Sequence, residues 1–118
     1  MFDHTLNFCR SLPAVNTDQK WDDELRFYVG EKLFCMLALN PPHKISFKCV
    51  QAQFHQLIST PGIVPAPHLA RYHWVQLKQD DILPENELMQ LLQKAYEITV
   101  SSLPPVEQEK IQNSKMPV

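Results

Sequence analysis

Residues 25–49, LRFYVGEKLFCMLALNPPHKISFKC, decide the fold. Leu25, Phe27 and Val29 alternate with Arg26 and Tyr28, the period of two that puts apolar side chains on one face of a strand. Gly30-Glu31 then turns the chain. The run Leu33-Phe34-Cys35-Met36-Leu37-Ala38-Leu39 is apolar on both faces and is stopped by Asn40-Pro41-Pro42, so it predicts a central strand covered on both sides. Lys44 to Cys49 alternates once more, with Ile45, Phe47 and Cys49 facing one way and Lys44, Ser46 and Lys48 the other. A three-strand antiparallel meander follows from this one stretch.

Working outward, Leu6, Cys9 and Leu12, widened by Phe2 and Phe8 and with Asp3 placed to cap the first turn, predict a short helix ending before Pro13. On the other side, Gln51 to Ser59 carries Phe54, Leu57 and Ile58 at helical spacing and is closed by Thr60-Pro61-Gly62. Ile63 to Leu69 holds Pro65 and Pro67 and runs extended or as a loop. His73 to Gln79 predicts a fourth strand, with Val75 and Leu77 inward and Trp74, Gln76 and Lys78 on the opposite face. Pro84 suits a first helical position, and Glu85 and Glu87 suit the first turn, where the helix dipole favours anions. Leu88, Leu91, Leu92, Ala95, Ile98 and Thr99 then form one stripe of a long helix to about Leu103. Pro104-Pro105 breaks it, and Val106 to Asn113 predicts a last polar helix before a frayed tail. The predicted order α-β-β-β-α-β-α-α is an α+β fold, a central antiparallel sheet flanked by helices.

With 118 residues, 44% of them hydrophobic, the chain is expected to form one domain over residues 1–118. Its only two glycines, Gly30 and Gly62, stand in unrelated contexts, so neither a P-loop nor a dinucleotide-binding glycine loop can be written into it. Cys9, Cys35 and Cys49 are odd in number, include no CxxC pair, and read as buried thiols in a reducing cytoplasm. Met1-Phe2-Asp3-His4 lacks the basic and apolar regions of a signal peptide, and no apolar run nears the ~20 residues a membrane span requires. A soluble cytoplasmic protein with no membrane partner is expected.

The net charge of -2 by itself attracts no polyanion. Its distribution does. Residues 31–79 hold five basic side chains against one acidic, a local +4, between ends that are both acidic. If the strands pair as predicted, Lys44, Ser46 and Lys48 share a sheet face with Trp74, Gln76 and Lys78, a basic surface containing an aromatic ring. The same residues also suit an ordinary solvated sheet face. His68 and His73, with His55 and Cys49 upstream, bring no HExxH, paired cysteines or clustered carboxylates, so no metal site is expected. Cys49 and His55 can be drawn as nucleophile and base, yet Cys49 falls on the apolar face of its strand and no orienting acid follows. His73-Trp74 reads as closing the sheet edge, with the imidazole bonded to backbone and the indole packed or half exposed.

Several spaced motifs carry a resemblance. They are Val29-Gly30-Glu31-Lys32-Leu33-Phe34, Pro41-Pro42 leading into Ile45-Ser46-Phe47-Lys48-Cys49, Pro61 through Leu69, His73-Trp74, Leu83-Pro84, Ala95-Tyr96 and Leu103-Pro104. In this order they resemble the MmcQ/YjbR family of small bacterial proteins over nearly the whole chain. The resemblance implies a compact α+β domain and, since members are described as DNA-binding, a nucleic-acid partner. Lys48 matches the family's lysine after the Ile-Ser-Phe strand, and His73-Trp74 match its His-Trp pair. Two departures stand out: Ala70-Arg71-Tyr72 replaces a more basic triplet before His-Trp, and Asp80-Asp81-Ile82 stands where a glycine usually precedes Leu-Pro. Both weaken a polyanion surface.

The sequence therefore predicts a noncatalytic binding module without cofactor or metal, contacting DNA phosphates through Lys44, Lys48, Arg71 and Lys78, with Trp74 stacking on bases. The rival expectation is a protein-interaction adaptor that presents the Pro61–Leu69 loop and the long helix to a protein partner.

Overall fold

The structure, a computed structural model, describes residues 2–20 and 23–115. The chain begins with helix α1 (Phe2–Ser11) and continues into a four-strand meander: β1 (Val15–Lys20), β2 (Glu24–Val29), β3 (Lys32–Ala38) and β4 (Ile45–Lys48). Helix α2 (Gln51–Ile58) leads to β5 (Ile63–Pro65), a 3-10 turn (Ala70–Tyr72) and β6 (Trp74–Leu77). Two helices, α3 (Glu85–Ser101) and α4 (Pro105–Lys115), complete the described chain. The α+β expectation holds, with one antiparallel sheet in the order β1-β2-β3-β4-β6-β5.

Two strands of this sheet are additions to the predicted order. β1 is Val-Asn-Thr-Asp-Gln-Lys, an edge strand whose alternate positions are nearly all polar, so it carries no apolar period to read. β5 is only three residues and ends on Pro65, which suits an edge where one side of the backbone needs no partner. Gly62 precedes it at φ +91, and a Cβ at that position would run into Ile82. Pro84 sits at the N-cap of α3 with ψ 145, one position outside the helix it was expected to begin. Of the tail expected to fray after Asn113, Ser114 and Lys115 instead continue α4, and residues 116–118 lie outside the described residues.

The helices gather on one face of the sheet. α3 packs across β2, β3 and β4, α2 against β5 and β6, and α1 against β1 and α3. Between them lie Phe27, Phe34, Phe47, Leu37, Ile45, Leu77, Leu88, Leu92 and Tyr96, all fully buried. Tyr96 meets Phe34 edge-on at 5.5 Å, and Phe34 tilts against Phe27 at 6.3 Å.

β3 departs from its predicted double coverage for a geometric reason. Phe27 pairs with Cys35 and Tyr28 with Leu33, so Phe34 is an extra, bulged residue. Phe34 and Cys35 are therefore both buried on the helix side, which makes the strand look apolar on both faces in sequence. The opposite face of β3 presents Leu33, Met36 and Ala38, each only half-buried.

Candidate nucleic-acid interface

Strand pairing builds the helix-free face one register step at a time. Asp18 lies opposite Arg26, Arg26 opposite Met36, Met36 opposite Ser46, Ser46 opposite Gln76, and Gln76 opposite Val64. This row crosses all six strands on the side away from α1, α2 and α3, because its neighbours Leu25, Leu37, Ile45, Leu77 and Ile63 are buried in the core. One alternation further, Lys48 faces Trp74. Continuing the register past Ile45 and Leu77 sets Lys44 level with Lys78 at the other end of the same two strands. The predicted sharing of a face by these six residues is what the register produces.

The electrostatics divide the cations of the basic middle into two groups. Lys32 is engaged structurally: its Nζ donates to the Ser102 carbonyl and hydroxyl oxygens at 3.2 and 3.3 Å, where α3 ends. Lys44, Arg71 and Lys78 are exposed and Lys48 is half-buried, and among the described residues none of the four has a carboxylate within ion-pair distance. Arg26 is different, since its Nε donates to Glu24 at 2.6 Å and that bond raises the guanidinium pKa further above its ordinary value. Its charge is locally balanced.

Residues 66–72 fold over part of this face. The Ala66 amide donates to the Trp74 carbonyl at 3.0 Å and the Trp74 amide to the Leu69 carbonyl at 3.3 Å. Trp74, only 5% exposed, is therefore packed rather than presented, and the expected stacking of a base on its indole has no open ring face. The exposed aromatic on this side is Tyr72, 49% exposed, with the Arg71 guanidinium 4.8 Å from its ring centroid. Sequence reasoning passed over Tyr72 as a replacement for a cation; its place in a 3-10 turn at the sheet surface was the missing signal.

Where the loop stops short of the meander, a groove of about 450 Å³ opens between Pro67, His68 and Leu69 on one side and Arg26, Leu33, Met36, Ser46 and Gln76 on the sheet. It runs on into a second hollow of about 260 Å³ that reaches Lys44 and also Asp23, the two sharing Glu24, Met36, Ser46 and Gln76. Lys44 thus lines the groove's end, while Lys48, Arg71 and Lys78 lie on the adjoining surface. Across the groove floor the Gln76 Nε2 donates to the Ser46 Oγ at 3.2 Å. His68, on the rim, holds a left-handed backbone at φ +66.

A model of the YjbR family matches residues 10–98. The chain belongs to the YjbR family. Among solved structures, the Deinococcus radiodurans protein DR2400, described with a DUF419 domain, is similar with a TM-score of 0.84 at 23% identity, over 95% of this chain and 88% of that one. A Pseudomonas syringae protein is similar with a TM-score of 0.67 at 19% identity, over 82% of this chain and 97% of that one. Both likenesses concern the fold. None of the curated proteins compared with the chain matches it.

In this YjbR-family chain the residues considered for chemistry are engaged in packing. Cys49 is 3% exposed, its Sγ donates to the His73 carbonyl at 3.3 Å, and burial pushes its pKa up to about 11. That favours the thiol over the nucleophilic thiolate. β6 is an inner strand, so His73 stands at its start and does not close a sheet edge as expected; its carbonyl accepts also from the Cys49 amide at 2.9 Å, and its ring, expected to bond to backbone, packs edge-on against Phe54. Among the described residues no three His, Cys, Asp or Glu side chains are grouped as a metal ion would need. No helix among them is long and apolar enough to cross a membrane.

Proposed function

We propose that this YjbR-family chain is a noncatalytic nucleic-acid-binding module that engages phosphates with Lys44, Lys48, Arg71 and Lys78 on and beside the helix-free face of its sheet. One observation carries the reading: the strand register brings Lys44, Lys48 and Lys78 to the helix-free face with Arg71 beside it, and none of the four has a carboxylate partner among the described residues, a freedom that Arg10, Lys94 and Lys110 share on the helices. Unpaired cations on a surface with no helix over it are free to exchange their counterions for phosphates. The acidic side chains Glu87 and Glu97 belong to α3, which packs on the opposite face of the sheet, while Asp80 and Asp81 follow Lys78 and temper the charge at that end. Asp23 and Glu24 border the groove and limit affinity there.

Titration of labelled single-stranded and duplex DNA at low and moderate salt tests this. Four phosphate contacts predict that affinity falls roughly 50- to 150-fold between about 50 and 200 mM salt. A Lys48→Glu plus Lys78→Glu double variant is expected to abolish binding at the lower salt, with an α3 Lys94→Glu control unaffected. Absence of binding by the wild-type chain at low salt, or binding indifferent to the double variant, overturns the reading. A stable protein partner recovered together with absent DNA binding assigns the surface instead to a protein-interaction adaptor.

A further inference from the structure

Resting on that reading, we infer that the groove between Pro67–Leu69 and the sheet accepts one unstacked nucleobase, so that the nucleic acid held is a single strand. Three features of the groove point to a flat, polar-edged ring. Its volume of about 450 Å³ falls in the range of sites that enclose small organic groups, roughly 300–1,000 Å³. Its walls are apolar, with Leu33 and Met36 on the sheet and Pro67 and Leu69 on the loop, as the faces of a base require. Polar groups converge on its floor.

Those floor groups have hydrogen-bonding capacity to spare. Gln76 uses one N–H on Ser46, which leaves its second N–H and its carbonyl oxygen to meet a donor and acceptor pair on a base edge. The Ser46 hydroxyl keeps its own proton to donate, and Glu24 fixes the Arg26 guanidinium beside them. A carboxamide offering donor and acceptor together matches the Watson–Crick edge of an unpaired base, the edge that single-strand readers use. In a duplex that edge is occupied by the partner base, and a stacked base does not reach a recessed floor. Lys44 at the groove's open end is placed to hold the phosphate of the nucleotide whose base is inserted.

Fluorescence anisotropy with ten-nucleotide oligo-thymidine and oligo-adenosine strands and a duplex of equal length, at about 50 mM salt, tests this on the wild-type chain and two variants. Gln76→Leu removes the reading edge; Met36→Trp fills the groove. Both positions are half-buried on the helix-free face, and thermal unfolding of each variant checks its fold. The single strands are expected to bind at least about tenfold more tightly than the duplex, and both variants to lose most of that advantage while keeping the wild type's affinity for duplex. Equal affinity for strand and duplex, a preference that neither variant reduces, or binding of thymidine monophosphate as tight as that of the strand overturns the inference. If duplex is bound with a steep salt dependence but without strand preference, the groove inference falls and the phosphate reading stands; if no nucleic acid is bound, both fall.

Discussion

The Cys49 thiol sits where β4 ends, beside the start of β6 and bonded to the His73 carbonyl, and burial pushes its pKa up to about 11. An ordinary thiol ionises near 8.5, so the folded chain retains this proton through a window in which the unfolded chain releases it. The folded pKa being the higher one, the stabilisation is fully present below about pH 8.5 and is lost as pH rises toward about 11. Cys35, fully buried, is raised in the same direction by burial. Chemical denaturation is accordingly expected to give a stability insensitive to these thiols from pH 7 to 8 and falling above about 9, and iodoacetamide at pH 8 to modify Cys49 far more slowly in the native chain than in urea. Rapid native alkylation would contradict the buried placement. That Cys49 faces the core was legible from its alternation with Phe47 and Ile45. For Trp74 the sequence allowed a packed or half-exposed indole as well as one open to a base, and alternation could not choose between them, because it assigns a side chain to a face and says nothing of a loop returning over that face. The bonds from Ala66 and Leu69 to the Trp74 backbone are nonlocal along a Pro-rich segment that shows no period at all.

Among the elements, α3 closes the core with a narrow stripe. Leu88, Leu92, Ala95, Tyr96 and Thr99 are buried on it, and the Tyr96 hydroxyl donates to the Pro13 carbonyl, tying the helix to the loop after α1. Leu92→Ala is expected to cost about 2–5 kcal/mol, the usual range for a fully buried leucine, and Leu91→Ala distinctly less, since Leu91 is half-buried. Urea denaturation of the two variants measures the difference; equal losses would mean that the stripe is misplaced. The long helix, the meander and α2 were readable because each carries its own hydrophobic period. β1 and β5 were not, for opposite physical reasons. β1 is polar on both faces because even its inward Thr17 and Gln19 are exposed at the sheet's edge. β5 is too short for a period and is specified by its partner, through Ile63 opposite Leu77 and the Lys78 amide bonded to the Gly62 carbonyl at 2.9 Å.

For the molecule as a whole, one face of the sheet is committed to the core and the other is left to strands and a loop. Of the five residues expected to contact nucleic acid, Lys44, Lys48, Arg71 and Lys78 have no carboxylate within ion-pair distance among the described residues, whereas Trp74 is packed. The groove beside them was invisible in sequence, because Arg26, Met36, Ser46, His68 and Gln76 come from four strands and a loop and meet only through the register. The central claim is that this helix-free face is the binding surface, and amide chemical-shift mapping tests it most directly. On titration of the uniformly labelled chain with a ten-nucleotide single strand at about 50 mM salt, the shifts are expected to cluster at Arg26, Met36, Lys44, Ser46, Lys48, His68, Arg71, Gln76 and Lys78. Shifts concentrated on α3 and α4, or a spectrum unchanged at saturating strand, would contradict it.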